Sequence, residues 1–73
     1  MTLGEYRVGI TFNPGNNPQV DNLKRKAADF IDAIANFYTD DPEVARLKVL
    51  AQTHAEDAAM WAVKAVTKGP WSA

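Results

Sequence analysis

The sequence has no cysteine and only one histidine, His54, among its 73 residues. Disulfide bonds are therefore excluded, and one chain cannot supply the roughly four Cys or His ligands of a structural zinc site. No run approaches the ~18 uncharged apolar residues of a membrane span, and residues 1–6 have neither the basic start nor the apolar core of a signal peptide. We therefore expect no membrane contact and a cytoplasmic location.

A strong charge of either sign is also missing, since eight basic and nine acidic residues leave a net charge of −1. Proteins that coat polymeric nucleic acid rely on a strongly basic face, so we do not expect that class here. A small anion held by a few lysines is compatible with the balance. With 47% apolar residues, the chain is expected to form one globular domain over residues 1–73.

The pattern of apolar and turn residues predicts an all-α fold, an antiparallel two-helix hairpin preceded by an extended arm. In the arm, residues 1–17, the side chains of Tyr6, Val8, Ile10 and Phe12 alternate with polar or small ones. This is the period of a strand, but the chain contains no second strand to pair with it. We therefore expect the arm to pack on the helices or on a neighbouring subunit.

Two helices follow the arm, over residues 18–38 and 42–67. Each begins with a capping Asn or Asp directly before a proline at the first helical position. The turn between them is short, which favours an antiparallel hairpin. Gly69 and Pro70 end the second helix, and residues 68–73 form a tail.

The second helix carries two apolar stripes. The first recurs at spacings of three and four and is expected to face the first helix: Val44, Leu47, Ala51, His54, Ala58, Trp61 and Ala65. The second has no third helix to cover it: Val49, Thr53, Met60, Val63 and Thr67. A chain this short buries only roughly 60% of its unfolded surface, and small domains without disulfides or metals often self-associate. The sequence therefore predicts a compact homo-oligomer built on this helix.

One end of the hairpin gathers groups that bind anions and bases. Phe12, Asn13 and Lys64 are expected beside the start of the first helix, where free N–H groups attract anions and an aromatic ring stacks on a base. The ordinary interpretations are a solvated basic face for residues 24–26, and core or interface packing for Phe12 and Trp61. The ligand-site interpretation and these ordinary interpretations both stay open from the sequence.

Residues of catalytic sites are sparse. Asp29 and Asp32 form half of a paired-carboxylate magnesium motif, but the second half is missing because Glu56 is followed three residues later by Ala59. His54 lies on an apolar stripe and is better interpreted as a packing residue than as a base. The sequence has no nucleophilic triad and no P-loop. We therefore expect no enzyme, no metal and no cofactor.

Several short motifs occur in an order that is fairly specific. They are Val20-Asp21-Asn22-Leu23-Lys24 in the first helix, then Leu50-Ala51-Gln52-Thr53-His54 and Met60-Trp61-Ala62-Val63-Lys64-Ala65 in the second. Over nearly the whole chain they resemble the phage anti-CBASS cyclic-oligonucleotide sponges, whose hairpin domain is shared with anti-Thoeris sponges. The resemblance implies a protein that binds cyclic di- and trinucleotides in the cytoplasm of the infected bacterial host and keeps them from the defence effector without cleaving them.

The resemblance also implies an assembly and a set of ligand contacts. Such sponges are homohexamers that hold cyclic dinucleotides between paired protomers and cyclic trinucleotides in separate pockets on symmetry axes. Phe12 would stack on a base, with Tyr6 as the other candidate ring. Lys24 would meet phosphate, with Lys26 as a second candidate.

Two departures from the family pattern affect these assignments. Relatives use tyrosine at the stacking position, whereas Phe12 can stack but cannot donate a hydrogen bond. Many relatives carry arginine before the Thr-His pair, where this chain has Gln52 followed by Thr53. Arg46 could supply the charge from earlier turns of the helix.

Two other function classes remain open. A small structural or adaptor oligomer would bind a protein partner through the second helix and would not bind nucleotides. A magnesium-dependent nucleotide hydrolase would turn its ligand over, whereas a sponge returns the ligand intact.

Overall fold

The structure, a computed structural model, describes residues 1–70. Within this range the chain forms three helices and no strand: α1 at Leu3–Val8, α2 at Pro18–Asn36 and α3 at Pro42–Thr67. Helices α2 and α3 pack together as the hairpin, and α1 lies mainly against α2. The predicted all-helical hairpin is confirmed, and residues 71–73 of the expected tail lie outside the described residues.

The expected extended arm is wrong, because its first part is the helix α1. Thr2 begins this helix with a reciprocal cap: its Oγ1 accepts from the Glu5 N–H at 3.1 Å, and the Glu5 carboxylate accepts from the Thr2 N–H at 2.8 Å. Gly9 ends it in the left-handed conformation at φ 64°. The alternation from Tyr6 to Phe12 therefore crosses a helix end and a loop, and it does not mark a strand.

A close backbone approach seats α1 on α2. Gly4 is buried, and a Cβ added to it would lie 2.1 Å from the Ala28 carbonyl oxygen, so a larger residue does not fit. The Gly4 N–H donates to the Asp32 carboxylate at 2.7 Å, and Arg25 pairs with Glu5 at 2.8 Å. These contacts satisfy a free N–H group at the start of α1. These contacts therefore fix the position at which the loop after α1 begins.

Helix α2 ends at Asn36, two residues before the predicted end at residue 38. Phe37 leaves the helical conformation, with φ −82° and ψ 138°. Lys48 of α3 donates to the Ala35 carbonyl at 3.3 Å and also to the Phe37 carbonyl. Because α2 has no basic residue in its last turn, the Lys48 ammonium supplies the positive charge that a helix C-terminus favours.

Helix α3 has the expected bounds, but the face that it turns toward α2 is not the predicted stripe. Gln52 and Ala59 are its buried residues. Leu47 and Trp61, which belong to the predicted stripe, are 49% and 61% exposed. Gln52 and Ala59 belong to neither of the two predicted stripes, so apolar spacing alone did not identify the face that α3 buries. The observed orientation lets Gln52 accept a hydrogen bond from Arg7 of α1, a contact that spacing rules do not foresee.

The described part of the chain has a small core. Its buried apolar residues are Val20, Ala28, Ile31, Ile34 and Ala59. None of its helices is long and apolar enough to cross a membrane. The chain measures 51 × 28 × 12 Å and its radius of gyration is 14.3 Å, against about 11 Å for a compact domain of this length. A shape this flat leaves broad faces of the helices exposed to solvent.

Candidate functional site

A groove of about 540 Å³ lies at one end of the hairpin, between the loop after α1 and the last turns of α3. Three of the predicted ligand-binding residues line it, namely Phe12, Asn13 and Lys24. Helix α3 forms the opposite wall with Val63 and Val66, because its 26 residues exceed the 19 of α2. The volume falls within the ~300–1,000 Å³ of small-molecule sites.

The loop wall of the groove is built by asparagine side chains. The Asn13 amide donates to the Asn17 carbonyl at 2.8 Å and to the Asp21 carboxylate at 2.9 Å, and its oxygen accepts from the Asn17 N–H at 3.1 Å. Asn17 in turn caps α2 by accepting from the Gln19 N–H at 2.8 Å. Asn13 thus shapes the groove, and its amide is already hydrogen-bonded within the protein.

Phe12 and Lys24 are the two residues of the groove that the resemblance singles out. Lys24 is 6% exposed, and its Nζ donates to the Gly9 carbonyl at 2.9 Å and to the Phe12 carbonyl. The same Nζ lies 5.4 Å from the centroid of the Phe12 ring. Phe12 itself is 71% exposed. The groove therefore presents an open aromatic ring beside a buried cation.

The composition of the groove limits its chemistry. The described residues that line it include no histidine, no cysteine and no carboxylate, so they offer no general base or activated nucleophile. They do offer an aromatic ring, a cation, a hydroxyl at Thr67 and the positive end of α2 beside Val20. This set suits a planar aromatic ligand that carries negative charge.

A second groove of about 210 Å³ adjoins the first along Lys24. Its cation is Arg7 of α1, which pairs with Glu56 at 2.6 Å and donates to the Gln52 side chain at 3.2 Å and to the Thr53 hydroxyl at 3.4 Å. The predicted pair Gln52 and Thr53 thus receives a guanidinium from α1. Sequence reasoning missed Arg7, because an extended arm gives no reason to place it beside α3.

The other predicted cations lie outside both grooves. Lys26 is exposed on α2, and the Nζ of Lys64 lies 5.2 Å from the centroid of an indole ring on α3. Arg46 lies about 27 Å along α3 from Lys64 at ~1.5 Å per residue. It pairs with Glu43 at 2.5 Å, and this contact raises the pKa of Arg46. Tyr6, the alternative ring, is exposed on α1 and lines neither groove.

The acids of the incomplete magnesium motif have structural partners. Asp29 pairs with Arg25 at 3.0 Å, and Asp32 caps α1. The hydrogen bond from Arg25 is the largest of the effects that lower the pKa of Glu5 to about 2. Among the described residues, no group of three or more His, Cys, Asp or Glu could hold a metal ion. Asp32 therefore serves the docking of α1 on α2, and Asp29 binds the Arg25 side chain that pairs with Glu5.

One comparison with known proteins identifies a family. The family model described as Acb2/Tad1, hairpin domain, matches residues 5–67, which include α2, α3 and most of α1. No curated protein and no solved structure matches the chain. The match confirms the resemblance to the anti-CBASS and anti-Thoeris sponges, a family that implies a phage cyclic-nucleotide sponge.

Proposed function

Because this chain belongs to the Acb2/Tad1 hairpin family, we propose that it is a phage anti-defence protein that sequesters the cyclic oligonucleotide messengers of its host. It binds cyclic dinucleotides, and cyclic trinucleotides in a second site, without cleaving them. The CBASS effector in the bacterial cytoplasm is then never activated. The observation that carries the proposal is the groove in which the exposed Phe12 ring lies beside the Lys24 ammonium.

The groove matches half of a cyclic dinucleotide. Base stacking on an aromatic side chain contributes ~1–3 kcal/mol per base and tolerates any base. The start of α2 adds positive potential for a phosphate. A cyclic dinucleotide has two bases and two phosphates with near-twofold symmetry, so two protomers related by a twofold axis would offer a matched pair of Phe12 rings.

The contacts that Arg7 makes with α3 support a second site, for cyclic trinucleotides. A cyclic trinucleotide carries three phosphates, and its site needs a cation beside Gln52 and Thr53. Arg7 supplies that cation, with one guanidinium nitrogen 3.4 Å from the Thr53 hydroxyl. Both arginines pair with a glutamate, Arg7 with Glu56 and Arg46 with Glu43, but it is Arg7 that contacts Gln52 and Thr53. We therefore assign the trinucleotide contact to Arg7 in place of Arg46.

Self-assembly is supported by the outward face of α3. Its residues Leu47, His54 and Trp61 alternate with Ala51, Ala58 and Ala65 at spacings of three and four, the pattern of a coiled-coil seam. In an antiparallel pair of α3 helices centred between residues 54 and 58, each larger side chain meets an alanine. The pairs are Leu47 with Ala65, Trp61 with Ala51, and His54 with Ala58 of the second copy. We propose this pairing as one interface of the homohexamer.

A charge on the seam tests the interface. Trp61→Glu places a carboxylate opposite Ala51 of the second copy, and native mass spectrometry should show a species smaller than that of the wild type. The matched control is Tyr38→Glu, since Tyr38 is 86% exposed and lies between α2 and α3, outside the seam. An unchanged mass for the Trp61 variant would refute this interface.

Native mass spectrometry with a panel of cyclic di- and trinucleotides tests the function itself. We expect about one cyclic dinucleotide per two chains, and the nucleotide should be recovered unaltered after the complex is heated. A defined oligomer that binds none of the panel would favour the adaptor function, for which the exposed apolar side chains of α3 are the supporting observation. A cleaved nucleotide would favour the hydrolase.

A further inference from the structure

We propose that Lys24 acts on ligand binding as a positioning residue, which holds the loop that presents the Phe12 ring. This inference rests on the proposed function, but it assigns Lys24 a different part from a direct phosphate contact. In the alternative, the ammonium points to the ligand and its charge makes the main contribution. The two roles predict different behaviour of the same variants.

The hydrogen bonds of Lys24 point to the loop. An ammonium group has three N–H donors. Two of them are directed to carbonyl oxygens of the loop, at Gly9 with 2.9 Å and at Phe12. At 6% exposure, Lys24 has little surface left for a ligand. A phosphate that took both of these donors would release the loop that carries the ring.

Within this loop, the Lys24 bonds act on the turn that carries Phe12. The Phe12 N–H donates to the Gly9 carbonyl at 2.9 Å, so both carbonyls that Lys24 binds belong to one turn. Phe12 is exposed, so its ring receives little support from packing. Fixing the carbonyl of Phe12 fixes the backbone from which its side chain leaves. The ammonium thus sets the direction of the stacking ring.

The opposite end of α2 has a similar arrangement outside both grooves. There Lys48 donates to the carbonyls of Ala35 and Phe37, and its Nζ lies 4.5 Å from the centroid of the Phe37 ring. In the described part of the chain, a lysine thus binds two backbone carbonyls beside a phenylalanine at each end of α2, and at this end one of the carbonyls, that of Ala35, belongs to the helix itself. Lys48 provides the matched control, because it has the same kind of contacts and does not line either groove.

The first experiment examines the ligand-free protein by amide hydrogen exchange. Lys24→Met should accelerate exchange at the Phe12 amide, roughly tenfold or more, since a hydrogen bond to a charged group stabilises by about one such factor. Lys48→Met should leave this amide unchanged and should instead accelerate exchange near the end of α2. Unchanged exchange at Phe12 in the Lys24 variant would overturn the proposal. Where Lys24→Met does not fold, Lys24→Gln replaces it, and exchange at the Phe12 amide should still rise because the shorter, uncharged side chain loses the charge-assisted bonds.

The second experiment is a double-mutant cycle on the affinity for a cyclic dinucleotide, measured by calorimetry at two salt concentrations. If Lys24 acts through Phe12, Lys24→Met lowers the affinity roughly tenfold in the wild type and changes it little in a Phe12→Ala background. The salt dependence of the affinity then stays the same. Independent losses in the two backgrounds, together with a weaker salt dependence, would show a direct phosphate contact and overturn the proposal.

The two experiments also separate this inference from the proposed function. A wild-type protein that binds no cyclic nucleotide would refute the sponge function, and with it the role of Lys24 in ligand binding. The exchange result would still decide whether Lys24 holds the loop. If the wild-type protein binds nucleotides and exchange at the Phe12 amide is unchanged in the Lys24 variant, the sponge function stands and the positioning role of Lys24 is refuted.

Discussion

At both ends of α2, a lysine donates to two backbone carbonyls beside a phenylalanine ring, but the surroundings of the two lysines differ. At one end, Lys24 is buried and Phe12 is 71% exposed beside a groove of about 540 Å³. At the other end, Lys48 is half-buried and completes the end of α2, and Phe37 is 49% exposed. The lysine contacts alone therefore do not make a binding site.

The difference arises from what each end adds to the lysine. The groove end has a loop of asparagine amides, the positive end of α2 and a wall from α3. The other end has the negative end of α2, which the Lys48 ammonium neutralises. An anion is favoured only at the first of these two ends. The lysine contacts are similar at the two ends, and the polarity of α2 with the extra length of α3 adds to one of them the groove that we propose as the binding site.

Of the changes that test this comparison, substitution of the Phe12 ring should have the largest effect, on the affinity for cyclic dinucleotides. Phe12→Ala removes ~1–3 kcal/mol of stacking per base, and a pocket shared by two protomers loses this contribution twice. Phe37→Ala should leave the affinity for cyclic dinucleotides unchanged. Calorimetry on both variants measures the difference. Equal losses would mean that the two ends do not differ in function.

Helix α1 contacts only part of this structure, so disturbing it should affect the two ends unequally. Gly4→Ala brings a Cβ into the Ala28 carbonyl, and such overpacking costs about 1–3 kcal/mol of unfolding free energy. Exchange should rise in the loop after α1 and not near residue 37. Gly15→Ala is the control, because its Cβ would meet nothing within 4 Å. Thermal melts and residue-resolved amide exchange measure these effects. An equal rise in exchange at both ends would contradict the prediction.

The smallest expected effect is a dependence on pH at the α1 side. The pKa of Glu5 falls from its ordinary value of 4.5 to about 2, chiefly through the hydrogen bond from Arg25. Because the folded state holds the carboxylate, this contribution is complete above pH 4.5 and is lost as the pH falls toward 2. Glu5→Gln should make the acid dependence of stability shallower over that window. Denaturant melts at several pH values test this, and an unchanged slope would count against the pairing with Arg25.

Sequence reasoning was most successful where the signal lies within a few residues. The starts of α2 and α3 follow from a capping side chain before a proline, and both caps bond to the first N–H groups of their helices. The cap of α1 carries an equally local signal in Thr2 and Glu5, but the alternation further along the arm concealed it. The end of α2 was misplaced because Lys48, a residue of the next helix, completes it.

The candidate site could be predicted only in part for the same reason. Phe12, Asn13 and Lys24 do line one groove, but the bonds of Lys24 to loop carbonyls required the loop itself. Arg7 was missed because its partners on α3 lie more than 40 positions away. The outward stripe of α3 was expected to face α2, because apolar spacing does not show that Gln52 is buried and accepts a hydrogen bond from Arg7.

The sequence by itself determined that this chain is helical, where the two long helices begin, that it lacks disulfides, and to which family it belongs. Only the tertiary structure decided which face of α3 points outward, which lysines are free and which arginine reaches Gln52. The physical reason is range: caps and turns depend on neighbours in the chain, whereas burial and long-range hydrogen bonds depend on how the helices are oriented. The role proposed for Lys24 belongs to this second class, because its partners were set by the fold of the loop.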